Sequence, residues 1–178
     1  MPGSGKSTVG RHVARQIGLH FIDTDHVIEQ RIGCSIRDYF ETQGEAAFRD
    51  VEQAVIDEVT RLDAHVVATG GGAVLREANR LALHARTTVV YLRSTPEDLA
   101  RRLRHDTHRP LLQQGGSADP LRRLRTLFQD RDPLYRRTAH FVIETGRPSV
   151  HALVNMVLMQ LELAGIVPVA GNQGASHP

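Results

Sequence analysis

The sequence has only one cysteine and no long apolar run, and each scarcity excludes a class of protein. Cys34 is the only cysteine, so one chain can form neither an internal disulfide nor a cysteine-based zinc site. We expect Cys34 to be a packing residue rather than a nucleophile. No segment approaches the roughly 18 consecutive apolar residues of a membrane-spanning helix, and the first residues lack the order typical of a signal peptide. We therefore expect a cytoplasmic protein without a membrane partner.

The sequence also lacks a large excess of charge of either sign. The formal net charge is only +2, although the isoelectric point is about 9.1, so composition gives no case for bulk binding to nucleic acid. Lysine and arginine together number 22, yet Lys6 is the single lysine. Arginine-biased coding would explain this pattern. So would a requirement at position 6 for a compact ammonium group on a flexible stem, and composition does not choose between the two.

Short β-branched apolar segments alternate with longer segments of helical period, which predicts an α/β fold with a parallel sheet flanked by helices. The predicted strands are Leu19 to Ile22, His65 to Ala68, Thr87 to Leu92 and Phe141 to Ile143. The predicted helices are Lys6 to Ile17, Asp25 to Arg31, Ile36 to Glu41, Glu45 to Leu62, Glu77 to His84, Pro96 to Arg104, Pro120 to Thr138 and Ser149 to Leu163.

We expect one domain over residues 1–163, with substrate-binding helices between about 25 and 62. Residues 105–119 combine polar, glycine and proline residues between two helices, which is typical of a loop that closes over a substrate. Residues 164–178 have no helical period and are expected to form a disordered tail.

The strongest motif is Gly3-Ser4-Gly5-Lys6-Ser7-Thr8, which matches the P-loop pattern G-x-x-x-x-G-K-[ST] from its second position onward. Its backbone N–H groups would converge on phosphate oxygens at the start of a helix. Lys6 would reach the β- and γ-phosphates of ATP, and the Ser7 hydroxyl would ligate Mg²⁺. The alternative, a flexible glycine-serine tail, is disfavoured because an amphipathic helix follows directly.

The first glycine of the motif and the strand that would precede it are missing from the sequence. Without that strand, its neighbours in the sheet would keep unpaired backbone N–H and C=O groups. We therefore expect that translation starts further upstream and encodes a short apolar strand that ends in glycine.

Three further groups of residues are candidates for an acceptor site. Asp23 and Asp25 follow a predicted strand and leave an extended chain on one face, where they could serve Mg²⁺ and an attacking hydroxyl; Asp25 could instead merely cap the next helix. Arg49 lies one turn from Glu52 and could bind a carboxylate, although an ordinary surface ion pair looks the same in sequence. Gly70-Gly71-Gly72 would let a ligand approach the backbone, or form a plain turn.

Taken together, the motifs resemble the shikimate kinase family, a branch of the nucleoside monophosphate kinase-like P-loop proteins. The resemblance spans residues 1–163. It rests on Gly3-Ser4-Gly5-Lys6-Ser7-Thr8, Asp23-Thr24-Asp25, Phe48-Arg49, Gly70-Gly71-Gly72, Arg109-Pro110-Leu111-Leu112 and Arg131-Asp132-Pro133-Leu134-Tyr135. It implies a three-layer P-loop kinase fold with five strands, of which this chain lacks the first, and a mobile lid. It also implies transfer of a phosphoryl group from ATP, with Mg²⁺, to the 3-hydroxyl of shikimate.

The resemblance further implies a role for each matching residue. Asp25 would engage the reacting hydroxyl and Asp23 would lie near the metal. Arg49 and Arg131 would bind the shikimate carboxylate, steadied by Glu52.

In the same family pattern, the backbone of Gly70-Gly71-Gly72 would bind the substrate, and Arg109 would be the lid arginine that closes on the phosphates. Arg102 matches an arginine that stacks on adenine, and Pro148 would face it.

Two other functions stay open at this point. Gluconate kinase, or a kinase for nucleoside monophosphates, would use the same phosphate cradle with another acceptor. A non-catalytic nucleotide-binding protein is the second alternative, suggested by the missing strand. We expect a monomer, since no exposed apolar stripe is evident in the sequence.

Overall fold

The computed structural model describes residues 4–104, 120–146 and 148–168, with backbone alone at positions 103 and 104. Helices and short strands alternate through these ranges. The helices are α1 (Lys6–Ile17), α2 (Thr24–Ile32), α3 (Ile36–Val59), α4 (Glu77–Arg86), α5 (Pro96–Arg104), α6 (Pro120–Thr138) and α7 (Val150–Leu163). The strands are β1 (His20–Asp23), β2 (His65–Ala68), β3 (Val90–Arg93) and β4 (Phe141–Glu144).

The four strands form two parallel pairs. β1 lies beside β2 with His20 opposite His65, and β3 lies beside β4 with Val90 opposite Phe141. No hydrogen bonds join the two pairs within the described residues, so the predicted sheet is divided between β2 and β3. The α/β class and the parallel sense of the strands are confirmed.

Apolar side chains from the helices cover both faces of these strands. On one face, Val13 of α1 and Val154 of α7 belong to a buried cluster with Leu92 of β3. On the other face, Tyr91 of β3 packs in a cluster with Leu99 of α5. Neighbouring residues of a strand point to opposite faces, so the consecutive residues Tyr91 and Leu92 contact helices on opposite sides of β3. The fold therefore has three layers, with strands between two layers of helices. None of the helices in the described ranges is both long and apolar enough to cross a bilayer.

Two predictions need correction. Cys34 is exposed rather than packed, because it follows Gly33, which ends α2 with a left-handed backbone at φ 71°. The third strand begins at Val90 rather than at Thr87. Thr87 ends α4 instead, since its N–H and its hydroxyl both donate to the Leu83 carbonyl, at 3.1 and 2.7 Å.

Gly44 divides α3 into two parts. Its backbone has φ 81° and ψ 172°, so the helical run bends there, which agrees with two predicted helices separated between Glu41 and Glu45. The second part carries Arg49 and Glu52, and the bend therefore sets the direction from which these side chains approach the strands.

This geometry predicts different costs for two glycine substitutions. The Gly44 conformation is open almost only to glycine, so Gly44→Asn should lower the free energy of unfolding by about 2 kcal/mol. Gly33 has φ 71° and ψ 12°, a region that asparagine tolerates, and Gly33→Asn should cost about half as much or less. A Cβ at either position meets no other atom within 4 Å, so urea unfolding of the two variants compares backbone strain alone. Equal losses would contradict the bend at Gly44.

Candidate active site

The phosphate cradle lies at the N-terminus of α1. Gly5 precedes the helix with φ 82°, a left-handed conformation that favours glycine. Ser4 is only 2% exposed. The first N–H groups of a helix lack intrahelical partners and carry the positive end of the helix dipole, which is the arrangement that binds phosphate. Gly3, the first residue of the cradle in the sequence, lies outside the described residues.

Asp23 joins the starts of two helices. Its Oδ1 accepts a hydrogen bond from the Asp25 N–H at 3.1 Å and so caps α2. Its Oδ2 accepts a hydrogen bond from the Ser7 hydroxyl of α1 at 2.7 Å. The helix cap is therefore Asp23, and the alternative that Asp25 serves only as the cap is wrong. The two predicted metal-binding residues, Ser7 and Asp23, are in direct contact.

The glycine turn that follows β2 lies against the start of α2. The Gly70 N–H donates to the Thr24 hydroxyl oxygen at 3.1 Å, and Thr24 is fully buried. A Cβ placed on Gly70 would lie 2.6 Å from Asp25 Oδ1 and 3.3 Å from Glu52 Oε1. Two carboxylates thus approach this backbone closely, and a larger residue at position 70 would displace them.

Arg49 approaches the same turn from α3. Its guanidinium group donates to Glu52 Oε2 at 2.6 Å and to Glu45 Oε1 at 3.1 Å. Glu52 is 1% exposed, so the pair is not the ordinary surface ion pair that sequence alone left possible. A Cβ on Gly72 would lie 2.6 Å from Arg49 Cζ. The guanidinium also lies 5.1 Å from the centre of the Phe48 ring, which adds a favourable cation–π contact.

Glu52 occupies an unusual electrostatic position. Burial raises the pKa of its carboxyl group, and the nearby charge of Asp25 acts in the same direction, while the hydrogen bond from Arg49 opposes them. Removing Arg49 would leave a buried carboxylate without its principal cation, a situation that costs several kcal/mol in proteins. Glu52 therefore holds Arg49 in place, and Arg49 opposes the effect of burial on the Glu52 carboxyl group.

Arg131 and Tyr135 reach the glycine turn from α6. The Arg131 guanidinium donates to the Gly71 carbonyl at 2.9 Å, and the Tyr135 hydroxyl donates to the same oxygen at 2.6 Å. Burial raises the pKa of Tyr135 to about 12, so its hydroxyl keeps its proton and remains a donor. Sequence analysis quoted Tyr135 within a motif but assigned it no role. Thr24 was missed in the same way.

A buried carboxylate braces the part of α6 that carries Arg131. Asp132 accepts hydrogen bonds from the Tyr91 hydroxyl at 3.0 Å, from Arg93 Nε at 2.9 Å and from Arg136 Nε at 2.8 Å. Burial alone would raise its pKa, but the bonds from Arg93 and Arg136 outweigh burial and lower it. Sequence analysis did not identify this brace, because two of its three partners, Arg93 and Tyr91, are 39 and 41 residues away along the chain.

The predicted adenine-binding residues belong to α5 and to the loop after β4. Arg102 donates to the Thr145 carbonyl, and the Thr145 hydroxyl contacts that of Ser94. Pro148 is three residues further along the same loop and is partly exposed. Arg109, the predicted lid arginine, lies outside the described residues.

The Asp132 brace predicts a pH-dependent loss of stability. Because the pKa of Asp132 is lowered from its ordinary 3.8, the unfolded chain takes up this proton first as the pH falls. The stabilisation is therefore complete above pH 3.8 and is lost as the pH falls through the folded-state value. Asp132→Asn should lower the free energy of unfolding at pH 7 by about 3 kcal/mol.

Urea unfolding at pH 7 and pH 3 checks this expectation, and the difference between the wild-type and variant stabilities should be smaller at the lower pH. Asp57→Asn is a matched control, since Asp57 forms exposed ion pairs with Arg61 and Arg86 that contribute little. A pH-independent difference between wild type and Asp132→Asn would show that the charge of Asp132 is not what stabilises α6.

A family model described as shikimate kinase matches residues 2–162. The chain is 60% identical over 171 residues to the shikimate kinase of Paracidovorax citrulli, covering 94% of this chain and 92% of that protein. It is 59% identical over 165 residues to the shikimate kinase of Burkholderia pseudomallei, with 93% and 88% covered.

Among solved structures, the shikimate kinase from Acinetobacter baumannii in complex with shikimate is similar, with a TM-score of 0.82 and 44% identity. The match covers 92% of this chain and 89% of that one. Agreement of this extent in sequence and in backbone identifies the chain as a member of the shikimate kinase family.

Proposed function

We propose that this protein transfers the γ-phosphate of ATP to the 3-hydroxyl of shikimate, giving shikimate 3-phosphate and ADP for aromatic amino acid biosynthesis. One observation carries the proposal: two arginines from different helices, Arg49 and Arg131, meet at the turn Gly70–Gly72, beside the carboxylate of Asp25. Shikimate carries a carboxylate and hydroxyl groups. Its carboxylate would bind the two arginines while one of its hydroxyls lies at the Asp25 carboxylate.

The arginines would bind the carboxylate of the substrate. The Glu45 partner of Arg49 has a side chain that is 64% exposed, so its contact is weak and open to exchange. Glu52, by contrast, is buried and stays bound to the other side of the guanidinium. Arg49 would exchange the Glu45 carboxylate for that of shikimate, and Arg131 would supply the second cation. Two fork-shaped guanidinium groups provide both charge and bidentate geometry.

Asp25 would act on the reacting hydroxyl. Its Oδ1 lies at the Gly70 backbone, next to Glu52, on the carboxyl side of β2 where ligands of parallel sheets bind. From there it would orient the hydroxyl and accept its proton as the new bond to phosphorus forms. The backbone of Gly70, Gly71 and Gly72 would lie against the ring of the substrate.

The nucleotide would lie at the N-terminus of α1. Backbone N–H groups from Gly3 to Thr8 would surround the phosphates, and Lys6 would neutralise charge on the β- and γ-phosphates. Arg102 and Pro148 would hold the adenine on its two faces. The proposed lid, residues 105–119, would close over the phosphates with Arg109 and exclude water, which would limit hydrolysis of ATP.

Mg²⁺ fits the donors at the start of α1. A hydroxyl from Ser7 and a carboxylate from Asp23 are hard oxygen ligands, and Mg²⁺ is commonly held by one or two such groups together with substrate phosphates and waters. Ser7 Oγ lies 2.7 Å from Asp23 Oδ2 in the structure, so both oxygens could bind one ion. The ion would neutralise charge on the phosphate oxygens that Lys6 also contacts.

We also propose a cytoplasmic monomer that works as one domain over residues 1–163. Several apolar side chains on the exposed face of α7, including Met156, Met159 and Leu163, would remain in contact with solvent in such a monomer. Size-exclusion chromatography with light scattering measures the oligomeric state directly.

The acceptor is tested by coupled measurement of ADP release with shikimate, gluconate and AMP in parallel. The purified protein should turn over with shikimate, with kcat/KM for the other two acceptors lower by about 100-fold or more. Lys6→Ala is the control for contaminating kinases and should abolish ADP release. Comparable turnover with gluconate or AMP would contradict the assignment of the acceptor, and ATP binding without any turnover would favour a non-catalytic protein.

A pair of variants should separate chemistry from binding. Asp25→Asn removes the proton acceptor and should lower kcat by about 100-fold or more while KM changes less. Arg49→Ala removes a charged hydrogen bond to the substrate and should raise the KM for shikimate by roughly 10- to 100-fold. Arg61→Ala is the matched control, since Arg61 forms an exposed ion pair with Asp57 and should change neither constant. A wild-type kcat in Asp25→Asn, or an unchanged KM in Arg49→Ala, would exclude the corresponding role.

A further inference from the structure

The glycine turn continues into a second tight turn that leads to α4. The Ala73 N–H donates to the Gly70 carbonyl at 3.2 Å, and the Leu75 N–H donates to the Gly72 carbonyl at 3.0 Å. Ala73 is fully buried and packs in an apolar cluster that includes Leu83 of α4. Because Ala73 closes the first of these turns, the position of its peptide group sets the position of the glycines before it.

The first turn of α4 binds the carbonyl groups of this segment. Asn79 Nδ2 donates to the Ala73 carbonyl at 3.0 Å. Arg80 Nη1 donates to the Val74 and Leu75 carbonyls at 2.8 and 2.9 Å. Three successive carbonyl groups, each of which needs a partner when buried, are thus held by two neighbouring side chains of one helix.

Asn79 and Arg80 differ in how firmly they hold the segment. Arg80 is partly exposed, and its long side chain has many accessible rotamers. Asn79 is only 1% exposed, and its short side chain rotates only about χ1 and χ2, so the close-packed surroundings fix its amide group. Its partner Ala73 also directly follows Gly72, whereas the carbonyls that Arg80 binds lie further along the chain.

The Asn79 amide is a poor source of stability. Its Oδ1 atom is buried and has no hydrogen-bond partner among the described residues. Turning the amide over would place this oxygen against the Ala73 carbonyl, which is another acceptor. A buried acceptor without a partner costs at least as much free energy as one hydrogen bond contributes. The asparagine is therefore explained by the group that Nδ2 holds in place rather than by a gain in stability.

We propose that Asn79 is a positioning residue of the acceptor site. By binding the Ala73 carbonyl, it fixes the turn against which Asp25 and Arg49 lie and to which Arg131 donates. The inference rests on the proposed function, since this turn is the part of the site that would hold shikimate. A shift of the turn would separate the arginines from the substrate carboxylate and would leave the nucleotide site at α1 in place.

The first experiment measures the steady-state kinetics of Asn79→Leu. Leucine has a similar branched shape but no donor, so the Ala73 carbonyl loses its partner while the unpaired Oδ1 is also removed. We expect kcat/KM for shikimate to fall by roughly 10- to 100-fold, because a small misplacement of the substrate is enough for such a loss. The KM for ATP should change little.

Thr87→Val is the matched control, because it removes a hydroxyl that donates to the Leu83 carbonyl at the other end of α4. It should lower Tm without changing kcat/KM. Equal losses of kcat/KM in the two variants, or a KM for ATP that rises as much as that for shikimate, would indicate a merely structural role and overturn the proposal. So would an unchanged kcat/KM for shikimate in Asn79→Leu.

The second experiment restores the donor with acid in Asn79→Asp. Burial raises the pKa of a carboxyl group, and only its protonated form can donate to the Ala73 carbonyl. The ratio of variant to wild-type kcat/KM should therefore rise by roughly 10-fold between pH 8 and pH 6, whereas the ratio for Asn79→Leu should stay constant. Taking the ratio removes the pH dependence of groups common to both proteins, such as Asp25 and Glu52. A constant ratio for Asn79→Asp would contradict the role of the donor.

Hydrogen exchange measures the order of the turn without any substrate. Asn79→Leu should speed exchange of the Ala73 and Leu75 amides by roughly 5- to 10-fold, the factor expected for one lost hydrogen bond, and Thr87→Val should leave both unchanged. If Asn79→Leu does not fold, Asn79→Asp at the two pH values takes its place. A wild-type protein that does not use shikimate would refute the proposed function, while the exchange rates would still decide whether Asn79 holds the turn. Unchanged exchange at both amides would overturn the inference whatever the acceptor.

Discussion

The candidate site depends on how closely side chains approach the backbone of one turn, Gly70–Gly72. Asp25 and Glu52 lie against Gly70, Arg49 lies against Gly72, and Arg131 donates to the carbonyl of Gly71. A Cβ at position 70 or 72 would occupy the space of these charged groups. Glycine is therefore required here for close approach rather than for unusual backbone angles. The turn brings side chains of three helices, α2, α3 and α6, to the end of β2.

This arrangement places two carboxylates and two arginines around one turn, and Asp25 and Arg131 are not paired with each other in it. The carboxylates of Asp25 and Glu52 are close enough for each to affect the other, and burial raises the pKa of Glu52. Arg49 compensates this buried charge, and Arg131 is held separately by a backbone carbonyl. An acceptor that carries both a carboxylate and a hydroxyl would meet the cations and the carboxylate of Asp25 simultaneously. The phosphate cradle is connected to the same region, since Asp23 bonds to Ser7 and caps α2.

Sequence patterns predicted the elements and most of the candidate residues, but not the contacts over long separations. Helical period and β-branched runs located the strands within a few residues, and the P-loop pattern located the start of α1. The burial of Glu52 could not be predicted, because an arginine and a glutamate one turn apart look the same on any helix. Asp132 and Tyr135 were quoted in a motif but received no role, because the partners Tyr91, Arg93 and Gly71 come from distant segments. The exposure of Cys34 follows from its place in a tight turn, which composition does not reveal.

The most direct test of the central claim is a calorimetric measurement of ligand binding by Gly72→Ala. The added methyl group would displace the guanidinium of Arg49, which is the nearest group to a Cβ at this position. The account predicts that shikimate binds about 100-fold more weakly or worse, a loss comparable to that of a charged hydrogen-bond pair, while the affinity for ATP changes little. Unchanged shikimate affinity in a folded Gly72→Ala protein would contradict the claim that the site is built on this turn.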